Sequence, residues 1–181
     1  NTNWKFLIEN FIEPYHVQFV HKTTTNQPLK DHYTFVDGKC YGSGIDVEKE
    51  DAKNGSALSV TSRYLSLFPN FIIGTYFPNQ VGVYLNIPIS PGVTSQKRII
   101  YTTDSKEMTK KEIQTTKDIW WSVHKEDHEI CERLQEGRSS PASHSGGLLS
   151  PIWEKGVQAF QKLIINSINK SFKIKRRVKN V

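Results

Sequence analysis

Two histidines, His16 and His21, stand near the start of the chain with four residues between them, and Glu13 lies three residues before the first. Neutral imidazole is the commonest protein ligand for a transition metal. Two imidazoles and one carboxylate on one side of an ion, with the other positions open, is the donor set that non-haem Fe(II) uses to activate oxygen. Histidines spaced this way also arise as ordinary core side chains, so the metal reading needs a third ligand from elsewhere in the chain.

Asp127 supplies a candidate. Trp120, Val123, Asp127, Ile130, Cys131 and Leu134 follow one another at helical spacing and form one stripe, with the aspartate in the middle of an apolar face. A buried carboxylate without a partner costs several kcal/mol or takes up a proton. A bound cation removes that cost. The remaining polar residues have plainer readings. Glu126, Glu129 and Glu132 suit a solvated face, and His124 and His128 suit exposed helix positions. Cys131 suits a small buried side chain, and Tyr15, Trp120 and Trp121 suit core or cavity wall. His32 and His144 lie in or near loops with no evident partner.

The elements must bring these side chains together. Residues five apart on a regular helix are rotated by roughly 140°, so an unbroken helix would not present His16 and His21 to one ion. Either the helix is irregular here or His21 lies past its end, and Pro14 argues for irregularity: it disfavours helical geometry at Glu13 and suits the first turn of a new helix. The reading is a helix from Trp4 to Ile12, a break at Glu13-Pro14, and a short second helix carrying His16. A hairpin follows over Tyr33 to Gly44, turning at Asp37-Gly38. Another turn falls at Asn54-Gly55, and further strands are expected near Ala57–Tyr64, Phe71–Tyr76, Val81–Pro88 and Lys97–Thr103, with Pro69 and Pro78 as breaks. Lys110 to Gln135 reads as a long helix, capped by Thr109 with Glu112 and ended by Gly137. After a Gly/Ser-rich loop, Pro151 to Ile168 reads as a final amphipathic helix with Trp153, Val157, Phe160, Ile164 and Ile168 on one face. Helices flanking an antiparallel meander make an α+β architecture, with the helices on one face.

The chain has 181 residues, enough for one domain with a real core, and no apolar run long enough to span a membrane. No signal peptide opens it, and it lacks an initiator Met, as a fragment would. Two cysteines, Cys40 and Cys131, exclude a disulfide framework and point to a reducing compartment, the cytoplasm. The net charge of +6 is concentrated in Lys170, Lys173, Lys175, Arg176, Arg177 and Lys179. No stacking motif or helix-turn-helix accompanies this tail, so a solvated end or a patch facing an acidic redox partner fits better than a nucleic-acid site.

The run NWKFLIENFIEPYHVQFVH resembles the opening of the catalytic domain of Rieske-type non-haem iron oxygenases, the large subunits of ring-hydroxylating oxygenases. Trp4, Lys5, Glu9, Asn10, Phe11, Tyr15, His16 and His21 fall on that family's pattern, although some members carry an extra residue between the Asn and the His. KEDHEICERLQEGRSS resembles the family's second motif, in which the Asp after Glu binds iron; here that is Asp127. The likeness continues through GGLLSPIWEKGVQAFQKLI, so it covers nearly the whole chain. It implies a helix-grip (START-like) domain, a curved antiparallel sheet packed on a long C-terminal helix, and a single catalytic iron-binding domain over residues 1–181. It also implies mononuclear Fe(II) held by His16, His21 and Asp127, with Glu13 and Asn10 as catalytic residues. The reaction would be mono- or dihydroxylation with O₂ of an aromatic or quaternary-amine small molecule, against a wall drawn from Tyr64, Phe68, Phe71, Tyr76 and Tyr84.

Electrons in this family come from a Rieske [2Fe–2S] cluster held by two Cys and two His. The paired Cys-x-His and Cys-x-x-His motifs are absent here, so the resemblance places that cluster on a domain missing from this chain. It further implies a reductase or ferredoxin donor and a homotrimer, in which Glu13 bridges to a neighbouring subunit's cluster. Two rival classes fit less well. A non-catalytic helix-grip binding domain does not explain Asp127 on an apolar face beside two histidines, and a zinc hydrolase would bring a His-Glu-x-x-His helix, which is absent.

Overall fold

The structure, a computed structural model, describes residues 1–25, 27–47, 61–103 and 107–178, the last six of these as backbone alone. The expected turn at Asn54-Gly55, the start of the strand at Ala57, and the basic side chains after Lys170 lie outside the described residues.

The chain opens with α1 (Trp4–Ile12), whose first turn is capped by the Asn3 side chain accepting from the Lys5 amide. Glu13, ahead of Pro14, is extended (ψ 142) and ends the helix. The chain then re-enters helix as α2 (Tyr15–Val20), and His21 caps it outside helical geometry (φ −89, ψ 36). This departure lets two imidazoles five residues apart converge: their ring centroids are 5.1 Å apart.

Among the described residues, six strands follow as a meander: β1 (His32–Asp37), β2 (Cys40–Ile45), β3 (Ser62–Leu67), β4 (Phe71–Tyr76), β5 (Gln80–Ser90) and β6 (Val93–Thr102), each antiparallel to the next. The β1–β2 turn places Gly38 at φ 57, where a side chain would be strained. Register sets which residues share a face. Tyr41, Ser66, Ile72 and Tyr84 are successive cross-strand partners, and so are Ser43, Tyr64, Gly74, Gly82 and Ile100. This face meets the helices. Gly74 and Gly82 are cross-strand partners because Tyr76 and Tyr84 lie back over them; an added Cβ would sit 2.3 Å and 2.5 Å from the two hydroxyls. The hydroxyls meet 3.1 Å apart.

Among the described residues, two long helices complete the fold. α3 (Lys110–Ser139) starts at the expected Thr109–Glu112 capping box. It does not stop at Gly137. Glycine in a helix costs only about 1 kcal/mol, and the stop comes where Pro141 forces Ser140 into extended geometry (ψ 141). α4 spans Lys155–Val178, beginning later than the apolar pattern suggests because Ser150 bonds the amides of Ile152 and Trp153 in a preceding turn. Ile168, expected on the buried stripe, is exposed.

The core forms where α1 and α4 cross the sheet: Ile8, Ile12, Tyr41, Ile72, Tyr84, Val157 and Phe160 make one buried cluster. α3 meets the sheet's other end through a second cluster of Tyr76, Trp120 and Val123. An α+β architecture with helices on one face of a six-stranded antiparallel sheet is therefore what the chain forms. No helix among the described residues is long and apolar enough to cross a membrane.

Candidate metal centre

The α1–α2 break and the middle of α3 bring His16, His21 and Asp127 to one point. One ligand atom from each lies within 4.8 Å of the others. Asp127 Oδ1 is 3.2 Å from His21 Nε2 and 3.8 Å from His16 Nε2. It also accepts from Asn10 Nδ2 at 2.9 Å, so the buried Asn10 orients the carboxylate.

The opposite side of each imidazole is tied to a carboxylate. His16 Nδ1 is 2.8 Å from Glu13 Oε1, and His21 Nδ1 is 2.7 Å from Glu126 Oε2. Glu13 also accepts from the amides of Tyr15 and His16, and Glu126 from Thr24 Oγ1 at 2.7 Å. A carboxylate on Nδ1 holds the proton there and leaves the Nε2 lone pair free, the arrangement that supports metal-bound imidazoles. Two free Nε2 lone pairs and a carboxylate aimed at one point fit a transition metal that accepts nitrogen and oxygen donors.

Charge supports this. Burial alone would raise the Asp127 pKa, but the His21 hydrogen bond and the charges of His16, His21 and Arg98 outweigh it and hold the carboxyl below its ordinary value. Burial alone would lower the His21 pKa; the hydrogen bond and charge of Asp127, then those of Glu126, override it and raise it. A proton therefore competes with a metal for His21. Metal affinity is expected to fall as pH drops through the raised His21 pKa, by about tenfold per unit for one competing proton. The decline begins above the ordinary histidine value, and Glu126→Gln moves its onset to lower pH. Co(II) titrations of both proteins across this range check it; an onset that does not move would remove Glu126 from the site's electrostatics.

Behind the three donors lies a cavity of about 40 Å³. Tyr64, Tyr76 and Tyr84 line it, together with Phe11, Trp120 and His124. Burial pushes Tyr64 and Tyr84 up to about 12, so both are neutral phenols, with Tyr64 donating to Gln27 Oε1. Phe68 and Phe71, expected on this wall, are elsewhere. Phe68 follows β3 and packs against Phe160 in the main core. Phe71 is five residues from Tyr76 on one strand, an odd separation that puts it on the opposite face.

Three further corrections concern α3. Glu126 is not a solvated carboxylate but the partner of His21. His124 is not exposed; its ring stands edge-on to Tyr84, 6.0 Å between centroids, and lines the cavity. Trp121 is the reverse case: it is 71% exposed and stands on the wall of an open groove, not in the core. His128 and Glu129 are exposed as expected. Cys131 is buried, and burial lifts its thiol to about 12, so it stays neutral. Arg98, which no pattern singled out, lies over the Tyr84 ring at 5.1 Å and lines the same cavity.

The chain as a whole matches a known family. A family model described as the ring hydroxylating alpha subunit, catalytic domain, matches residues 1–169. The chain belongs to that family. It is 29% identical over 161 residues to the chloroplastic choline monooxygenase of Atriplex hortensis, covering 88% of this chain and 36% of that one. The corresponding enzyme of Spinacia oleracea is 26% identical over 161 residues, again covering 88% and 36%. Among solved structures, the quaternary ammonium Rieske monooxygenase CntA in complex with its substrate L-carnitine superposes with a TM-score of 0.69 at 20% identity, over 90% of this chain and 44% of that one. The inhibitor-bound form of CntA gives 0.71 at 19% identity, over 90% and 45%. This chain thus spans about a third of the length of the curated relatives it matches.

Proposed function

We propose that residues 1–181 form a single catalytic domain of the helix-grip type that holds one Fe(II) on His16, His21 and Asp127 and oxygenates a small aromatic or quaternary-amine substrate. The observation that carries this is the convergence of two Nε2 atoms and one carboxylate, each imidazole backed by its own carboxylate. Bound iron supplies O₂ activation. The chain's residues do the rest. Glu13 and Glu126 keep the Nδ1 protons in place, and Asn10 fixes Asp127. Phe11, Tyr64, Tyr76, Tyr84 and Trp120 exclude water, and the rings other than Tyr84, which Arg98 already covers, offer faces to an aromatic ring or a quaternary ammonium. The named activities of choline monooxygenase and CntA favour the ammonium.

The electrons come from a Rieske [2Fe–2S] cluster outside these residues, reduced by a reductase or ferredoxin. In a homotrimer, Glu13 on His16 is the bridge to the neighbouring subunit's cluster, and the assembly works in the cytoplasm without nucleic acid or membrane. The test is a single turnover of the Fe(II)-loaded protein with a reduced Rieske donor, choline or phenylpropionate, and ¹⁸O₂. Label in the product is expected. O₂ uptake without labelled product, or turnover that persists after iron removal, would contradict the reading. Glu13→Ala is expected to keep iron and lose most donor-dependent product; unchanged product would remove Glu13 from the electron route.

A further inference from the structure

The small cavity is not the only space beside the metal donors. A groove of about 1020 Å³ opens between β6 and α3. That exceeds the common size of small-molecule sites, roughly 300–1,000 Å³. Arg98, Trp120 and His124 line both spaces and form the wall between them. The groove's own walls include the apolar Ile99, Ile100, Ile113 and Trp121, and its charged side chains are Arg98, Lys117 and Lys125 against Asp118. A positively biased, apolar-walled groove leads to the metal donors past a guanidinium.

Arg98 is aimed and unspent. Its Nε donates to Gln96 Oε1 at 2.7 Å, and Gln96 Nε2 donates to the fully buried Asn86 at 2.6 Å. This amide chain fixes the guanidinium plane over Tyr84. Its Nη groups donate no hydrogen bond among the described residues. The nearest carboxylate, Asp127 Oδ2, is 3.8 Å from Nη1, beyond hydrogen-bond length. A second polar group at this wall is also unmet: His124 Nδ1 is buried without a hydrogen-bond partner among the described residues. With a metal on Asp127, the guanidinium loses its one facing counter-charge and presents a planar fork suited to a carboxylate.

We infer that Arg98 anchors the carboxylate of an organic acid whose uncharged body fills the β6–α3 groove, so that the carbons next to the carboxylate are the part of the substrate nearest the metal donors. This rests on the metal-centre reading and narrows its substrate class to carboxylates. A cation already over Tyr84 also disfavours a second cation on that ring, so a quaternary ammonium without a carboxylate is the poorer ligand.

The test measures calorimetric affinity for phenylpropionate, its uncharged amide and choline, under anaerobic conditions, with iron quantified on the same samples. Phenylpropionate is expected to bind most tightly. Arg98→Gln weakens it by about 10- to 100-fold, the loss of a charge-assisted contact, and leaves the amide unchanged. Arg98→Lys, which keeps the charge without the fork, falls between. Retained iron and far-UV dichroism show that the variants are folded. Equal affinity for acid and amide, an acid affinity unchanged in Arg98→Gln, or no acid binding would overturn the inference. Arg98-dependent acid binding by a chain that takes up no iron would instead retain the anchor and sink the metal reading.

Discussion

Asp127→Ala will lose Fe(II) affinity by more than the roughly 10- to 100-fold that removal of an outer partner costs. Among the described residues, Asp127 is the one carboxylate grouped with both imidazoles. Asn10→Ala is the graded comparison. It removes the 2.9 Å hydrogen bond that orients Asp127 but leaves all three donors, so its loss should stay within that 10- to 100-fold range. Anaerobic Fe(II) titration of the two variants beside the parent chain makes the comparison. Equal losses in both would mean that Asp127 supports the site without holding the metal. No loss in Asp127→Ala would place the metal elsewhere.

Phe160→Ala has the largest expected effect on folding. The side chain is fully buried where α4 crosses the sheet, with Trp4, Tyr41 and Phe68 rings at 5.9, 5.9 and 6.3 Å. Truncating such a residue costs about 3–5 kcal/mol, a transfer loss plus a cavity. For a chain of this length each kcal/mol moves Tm by roughly 2–4 °C, so a fall of roughly 6–20 °C is expected in a thermal melt. Iron stoichiometry in the cold should not change, because the metal donors belong to neither the Phe160 cluster nor its contacts. A Tm within a degree or two of the parent would show that α4 is not anchored through this residue.

The parts of the site legible in the sequence were those with a local signature. Pro14 after Glu13 marks the break that starts a new helix carrying His16, and the apolar stripe around Asp127 marks a buried carboxylate needing a partner; that His21 lies past the end of α2, which lets the two imidazoles converge, has no such mark. The Thr109–Glu112 box marked the start of α3. What escaped depends on which elements meet. Glu126 neighbours Asp127 and points about 100° round the helix, which reads as solvent until His21 is placed beside it. His124 reads as a surface residue until Tyr84 is known to face it. Arg98 sits in a strand whose alternation is mixed, so neither its face nor its neighbours could be read. Phe71 differs in kind, because strand parity alone, which the sequence already contains, separates it from Tyr76. Gly137 carries a weaker stop signal than Pro141, four residues on, and the helix ends at the stronger one.

The central claim is a single metal held by two histidines and one carboxylate. X-ray absorption at the iron edge of the anaerobic Fe(II)-loaded chain tests it most directly, because imidazole rings give their own outer-shell scattering. The account predicts one iron per chain with two imidazoles, light-atom ligands completing the shell, and no sulfur. One imidazole or none, or scattering from the Cys131 sulfur, would contradict it.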